Sequence, residues 1–166
     1  MDLQYYGGNC VVLSTKGVRL VFDDNLAGLG AKTITKAEDV AMFTGAHGTP
    51  ANEPRLIIDG PGEYEVSGLS IHGIAARAHM DPEGTQTATM YKVMNDESNC
   101  LILGHIYPDL SDDQLEAVGT VDVLVIPVGG NGYTLDPTGA LQVIKKIEPK
   151  IVVDFSVEPA RRSLEA

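Results

Sequence analysis

At 166 residues and 17.7 kDa the chain is long enough to bury a real core as one compact domain, and the absence of any apolar run of about 18 residues excludes a membrane-spanning helix. Its formal net charge is −11 and its pI about 4.6, with no basic run longer than the pairs Lys145-Lys146 and Arg161-Arg162. So acidic a surface repels phosphate backbones, which argues against a nucleic-acid partner. The opening Met1-Asp2-Leu3-Gln4-Tyr5-Tyr6 lacks the basic and apolar regions of a signal peptide, so a soluble cytoplasmic protein is expected, with Cys10 and Cys100 as buried thiols.

The first third reads as β. Leu3–Tyr6, Cys10–Ser14 and Val18–Phe22 are short runs separated by Gly7-Gly8 and Lys16-Gly17, a hairpin pattern. Asp23 and Asp24 follow the third run directly, placing two carboxylates at a strand end. Residues 26–38 have weak periodicity and read as a loop. Asp39–Thr44 and Arg55–Ile58 are further short strands, and Gly60-Pro61-Gly62 marks a turn.

The runs Glu63–Val66, Leu69–Ala75, Thr89–Met94 and Cys100–Leu103 continue the β pattern, with a loop at residues 81–84. Glu63 and Glu65 are read as lying on opposite faces of their strand, not as an acid–base pair. Ser111, followed three residues later by Gln114 and flanked by Asp112 and Asp113, predicts a helix that stops at Gly119. The apolar run to Val128 predicts a strand covered on both faces. Asp136-Pro137 opens a second helix over 137–147, with Leu141, Ile144 and Ile147 on one stripe, and Pro149 ends it before a last strand at Lys150–Asp154. A β-rich first part followed by strand–helix units implies two sheets with helices outside them. No linker or repeat is visible, so residues 1–158 are read as a single domain and 159–166 as a C-terminal tail.

The chemistry-bearing residues lie at strand ends. Three of only four histidines, His47, His79 and His105, close apolar or strand-like runs, where imidazoles from separate strands converge on one rim. Convergent neutral imidazoles suit zinc, iron and similar ions. The fourth, His72, sits inside a short alternating run and reads as a strand filler. Gly129-Gly130 belongs to a glycine-rich turn that lets the backbone pass close to a pocket, and it does not fit a phosphate-cradling loop. Tyr107 and Tyr133 are read either as rim residues of that pocket or as surface packing. Ser14, Ser156 and Cys100 show no nucleophile motif, so no catalytic residue is assigned.

Taken together, Tyr5-Tyr6-Gly7-Gly8, Val21-Phe22-Asp23-Asp24, the run Gly60–Glu65, the run Asp122–Gly130 with Tyr133-Thr134, and Glu148–Val152 resemble the metallo-β-lactamase superfamily, in particular its small bacterial Zn-dependent hydrolase-like members. The resemblance covers nearly the whole chain. It implies an α/β (α+β) fold, a four-layer αββα sandwich with a metal site at one edge. It also implies that the site is altered. Members carry a His-x-His-x-Asp-His loop, whereas here Thr44 is followed by Gly45, His47, Thr49 and Pro50 at its four ligand positions. The next family ligand matches His79, the bridging aspartate falls on His105, and the last histidine falls near Ser156.

The resemblance thus leaves His47, His79 and His105 as candidate ligands for at most one zinc or other divalent transition metal, with Asp23 and Asp24 supporting the ligand loop from behind and Thr49, Gly129, Gly130 and Tyr133 lining the pocket. One bound ion would activate water for hydrolysis of a polar small molecule. No cofactor at all is the equal alternative, with the histidines hydrogen-bonded to backbone or water. The function is then either a hydrolase with an altered, at most mononuclear site or a non-catalytic relative that keeps the fold as a binding or scaffold module. A homo-oligomer is a further expectation, as cover for surface left exposed near the C-terminus.

Overall fold

The computed structural model describes residues 1–15, 17–50, 52–130 and 132–156, which fall into two compact units. The expected tail at 159–166 lies outside the described residues, as does the side chain of Ser156.

The unit Met1–Asp59 holds a five-stranded mixed sheet. Its strands are β1 (Asp2–Gly7), β2 (Cys10–Thr15), β3 (Val18–Phe22), β4 (Val40–Met42) and β5 (Leu56–Ile58), in the order β1-β2-β3-β4-β5. The first three form an antiparallel meander. Its tight turn after β1 uses Gly7 and Gly8 at φ 99° and 57°, a region that L side chains rarely adopt. β4 and β5 then add in parallel, so β3, β4 and β5 all end at one rim. Leu20, Val21, Phe22, Val40 and Met42 are fully buried, as expected of central strands. The segment read as a loop from residue 26 opens with a short 3-10 turn, Leu26–Leu29, because Leu26 buries against Cys10, Val12 and Val21 while Gly30 closes the turn at φ 79°.

The unit Gly60–Ser156 holds a six-stranded mixed sheet and both helices. In chain order these are β6 (Gly62–Val66), β7 (Leu69–Ala76), β8 (Ala88–Met94), β9 (Asn99–Ile102), α1 (Asp112–Val118), β10 (Val123–Val128), α2 (Pro137–Ile147) and β11 (Ile151–Ser156). The spatial order is β11-β10-β9-β8-β7-β6, antiparallel from β6 to β9 and parallel from β9 to β11. Consequently β7, β9, β10 and β11 all run toward the same rim.

Both helices cover one face of this sheet. Met90, Leu101, Leu124 and Ile126 from the strands share one core with Val118 of α1 and with Val143 and Ile147 of α2. Both helix starts follow their sequence signals. Ser111 accepts from the Gln114 N–H while the Gln114 side chain accepts from the Ser111 N–H, and Asp136 caps α2 by accepting from the Gly139 N–H. At the far end of α1, the Lys92 ammonium donates to the Val118 carbonyl, placing a cation at a helix C-terminus.

The structure overturns the expectation that Glu63 and Glu65 lie on opposite strand faces. Glu63 and Glu65 lie on the same face of β6, as residues two apart on a strand must, and both are exposed. Paired in register with His72 and Ser70, they line a shallow groove of about 410 Å³.

The capping box makes a direct prediction. Ser111→Ala leaves the Gln114 N–H without its side-chain acceptor, so it should destabilise the protein by about 1 kcal/mol in urea unfolding. A change indistinguishable from zero would show that water replaces the cap without loss.

Candidate metal centre

The strand directions gather candidate residues at strand ends within each unit. In the unit Met1–Asp59, β3, β4 and β5 end beside one another and place Asp23, Thr44 and Asp59 at their carboxyl ends. Asp23 is 6% exposed and has left-handed backbone, φ 53°. Its N–H donates to Met42 O at 2.8 Å, its Oδ1 accepts from the Thr44 N–H at 2.8 Å, and its Oδ2 accepts from Thr44 Oγ1 at 2.6 Å and Asn9 Nδ2 at 2.9 Å. The carboxylate therefore holds the start of the loop that carries His47. Burial raises its pKa to about 6, against the opposing pull of the Thr44 and Asn9 bonds and of the His47 charge.

Asp24 responds in the opposite direction. Burial pushes its pKa up, but its Oδ2 accepts from Thr33 Oγ1, Ile34 N, Thr35 N and Thr35 Oγ1, and these four bonds bring it below the usual carboxylate range. Asp24 thus ties the segment 33–35 to the end of β3. With Thr33, Phe43, Gly48, Thr49 and Pro50 it lines a cavity of about 200 Å³.

His47 is held on three sides. Its ring stacks on Phe43 with centroids 3.7 Å apart, Nδ1 lies 2.6 Å from Gly48 O, and Nε2 lies 3.0 Å from Asp59 Oδ2. Both neighbours are acceptors. Both ring nitrogens thus face acceptors and not open space, so in this arrangement neither is presented to a metal.

In the unit Gly60–Ser156, the ends of β7 and β9 are joined by a bridge between Ala78 and Ile106. The His79 N–H donates to His105 O at 2.9 Å, so the two histidines share one corner of the rim. His79 Nδ1 lies 3.2 Å from Ile106 O, a contact that suits a neutral ring protonated at Nδ1 and presenting Nε2 as its lone-pair nitrogen. His105 Nδ1 is buried and has no hydrogen-bond partner among the described residues. Burial, and then the charge of His79, lower the pKa of His105, which favours the neutral ring that a metal requires.

The surroundings of the pair are built from neighbouring loops. Tyr133 meets His105 edge-on at 5.4 Å between centroids. Its loop is closed by the N–H groups of Gly129 and Gly130, which both donate to Leu135 O, with Gly130 at φ 85°. Tyr107 lies 6.0 Å from His79 and carries the Arg77 guanidinium over its ring at 3.7 Å. Asp81 accepts from the Ala78 N–H, the Thr87 N–H and Thr87 Oγ1, fixing the loop that follows His79.

Asp59, Asp81 and Arg77 were not singled out in the sequence. A carboxylate directly after Leu56–Ile58 was the one available signal for Asp59. His79 and His105 fit as a pair of imidazole donors. Among the described residues, no three His, Cys, Asp or Glu side chains are gathered to hold an ion. Cys10 and Cys100 are free buried thiols, both pushed up to about 12 chiefly by burial.

Comparison with known proteins decides the family. Residues 2–156 match the β-lactamase superfamily domain. The chain belongs to the metallo-β-lactamase superfamily. Solved structures share its fold: a protein from Thermotoga maritima designated a Zn-dependent hydrolase of the metallo-β-lactamase superfamily matches with a TM-score of 0.75 at 24% identity, over 92% of this chain and 74% of its own. A protein from Parabacteroides distasonis designated a metal-dependent hydrolase matches with a TM-score of 0.73 at 16% identity, over 92% and 80%. A diiron β-hydroxylase from Streptomyces venezuelae matches with a TM-score of 0.60 at 15% identity, over 92% and 44%. No curated protein sequence matches the chain. The two mixed sheets, with the α-helices of the described residues following β9, are the α+β architecture of this superfamily.

The buried Asp23 gives a pH-dependent prediction. Its folded-state pKa of about 6 stands above the ordinary 3.8, so the folded protein holds this proton more tightly than the unfolded chain. Its contribution to stability is therefore complete below about pH 4 and is lost as pH rises through about 6, a change of about 3 kcal/mol. Asp23→Asn cannot ionise, so urea unfolding measured from about pH 4 to 7 should show that decline in the parent and not in the variant. Parallel curves would refute the assignment.

Proposed function

We propose that this metallo-β-lactamase-superfamily member is hydrolase-like, with its site reduced to at most one divalent transition metal ion, zinc first. The observation that carries the reading is the His79–His105 pair, His79 with Nδ1 on a backbone carbonyl, which suits a ring presenting Nε2, and His105 buried, which favours its neutral form. The sequence adds His47 as the third candidate ligand, and its ring would have to give up Asp59 or Gly48 to serve. When bound, such an ion polarises a substrate and activates water.

A second ion lacks support from the residues at the expected ligand positions. Gly45 and Pro50 offer no side-chain donor, Thr49 offers only a neutral hydroxyl, and His105 takes the place where a carboxylate would bridge two ions. The substrate class that suits such a site is a small polar ester, amide or phosphoester, and β-lactam hydrolysis is expected to be negligible. The family match across residues 2–156 favours reading 1–158 as one domain, and no described helix is long and apolar enough to cross a bilayer.

A non-catalytic binding module is the second reading, favoured by the double engagement of His47. Titration of the metal-free full chain with zinc and cobalt separates the two. One ion per chain, with binding weakened at least about tenfold by His79→Ala and by His105→Ala, is the expected result. Two tightly bound ions would overturn the reduced site, unchanged binding in His79→Ala would place the metal elsewhere, and no binding at all would favour the binding module.

A further inference from the structure

We propose that β11 is a dimerisation edge, pairing antiparallel with β11 of a second copy about a two-fold axis at Val152 and joining two six-stranded sheets into one. Among the described residues, β11 is the terminal strand of the sheet, and its strand partner is β10. Its register with β10 is regular over six pairs, without a bulge. Its opening run Ile151-Val152-Val153 is β-branched throughout, with Ile151 58% and Val152 37% exposed. Natural sheet edges are usually blunted by proline, bulges, charged side chains or brevity; within its six residues β11 has one charge, Asp154, and no proline or bulge.

The backbone and the charges together choose the occupant. The Ile151 N–H donates to Asp122 O, so Ile151, Val153 and Phe155 turn their amides toward β10 while Val152 and Asp154 turn theirs outward. A two-fold axis at Val152 sets Val152 opposite its own copy, Ile151 opposite Val153, and Lys150 opposite Asp154. Opposite charges thus meet twice by symmetry. An axis at Asp154 would instead place like charges face to face. Lys150 lies just before the strand with a side chain 71% exposed, paired within its own chain to Asp122 at 3.0 Å, and it retains exposed surface for a second carboxylate.

Sedimentation or light scattering of the full chain over a concentration series tests this, with far-ultraviolet circular dichroism as a check on folding. The expected mass is twice the 17.7 kDa of one chain. Val152→Pro removes only an outward amide and spares the bonds to β10, so it should give a folded monomer. Lys150→Glu and Asp154→Lys should each give a monomer, and the double variant K150E/D154K should regain the dimer even though the Lys150–Asp122 pair stays broken. A parent that remains monomeric throughout, a dimer unaffected by V152P, or a double variant that fails to re-form would overturn the proposal.

Discussion

Parallel pairing between neighbouring strands fixes where chemistry can collect in this chain. β3, β4 and β5 run the same way, so the residues that follow them, Asp23, Thr44 and Asp59, are neighbours although they are far apart in sequence. The same rule applies in the six-stranded sheet, where β7, β9 and β10 deliver His79, His105 and Gly129 to one rim. Strand interiors supply the buried surface that stabilises each unit, and strand ends supply polar groups that need not be buried without partners. Reversing a single strand would separate these groups without changing the composition of either core.

Neighbouring carboxylates at one strand end show how local donors set the outcome. Asp23 and Asp24 both lose water on folding. Asp24 recovers the loss through four donors from Thr33, Ile34 and Thr35, and stays acidic. Asp23 receives three donors but is far more deeply buried, and burial dominates. The cost is accepted at the point where β3, β4 and the His47 loop join, since the Asp23 carboxylate replaces backbone partners that a loop start would otherwise lack.

What could be read from the sequence follows the range of the physics involved. Helix boundaries were legible because caps are local: Ser111 with Gln114, and Asp136 with Pro137, define their starts within four residues. Strands were legible from alternation, and the strand-end histidines from their position. The partner of His47 was not legible, because Asp59 becomes its neighbour only once β4 and β5 pair in parallel. The cation–π contact of Arg77 with Tyr107 depends likewise on the junction of β7 and β9, twenty-seven residues of chain away in the case of His79 and Ile106. Glu63 and Glu65 share a face of β6, against the sequence expectation, because the side-chain period of a strand is two residues.

The three rim histidines share a residue type and a position at strand ends, yet their rings are not equivalent. Among the described residues, His47 meets two acceptors, His79 meets one, and His105 Nδ1 meets none. A metal binds lone pairs, so the neighbours of each ring decide its value as a ligand more than the count of histidines does. By that measure the donors cluster at β7 and β9, while the His47 ring serves the Asp59 and Gly48 acceptors and packs on Phe43. Asp59 follows directly on the strand next to β4, so the contact that occupies His47 is set by the same parallel register that orders the sheet. Freeing His47 for a metal would require a change at the end of β5 rather than at the histidine itself.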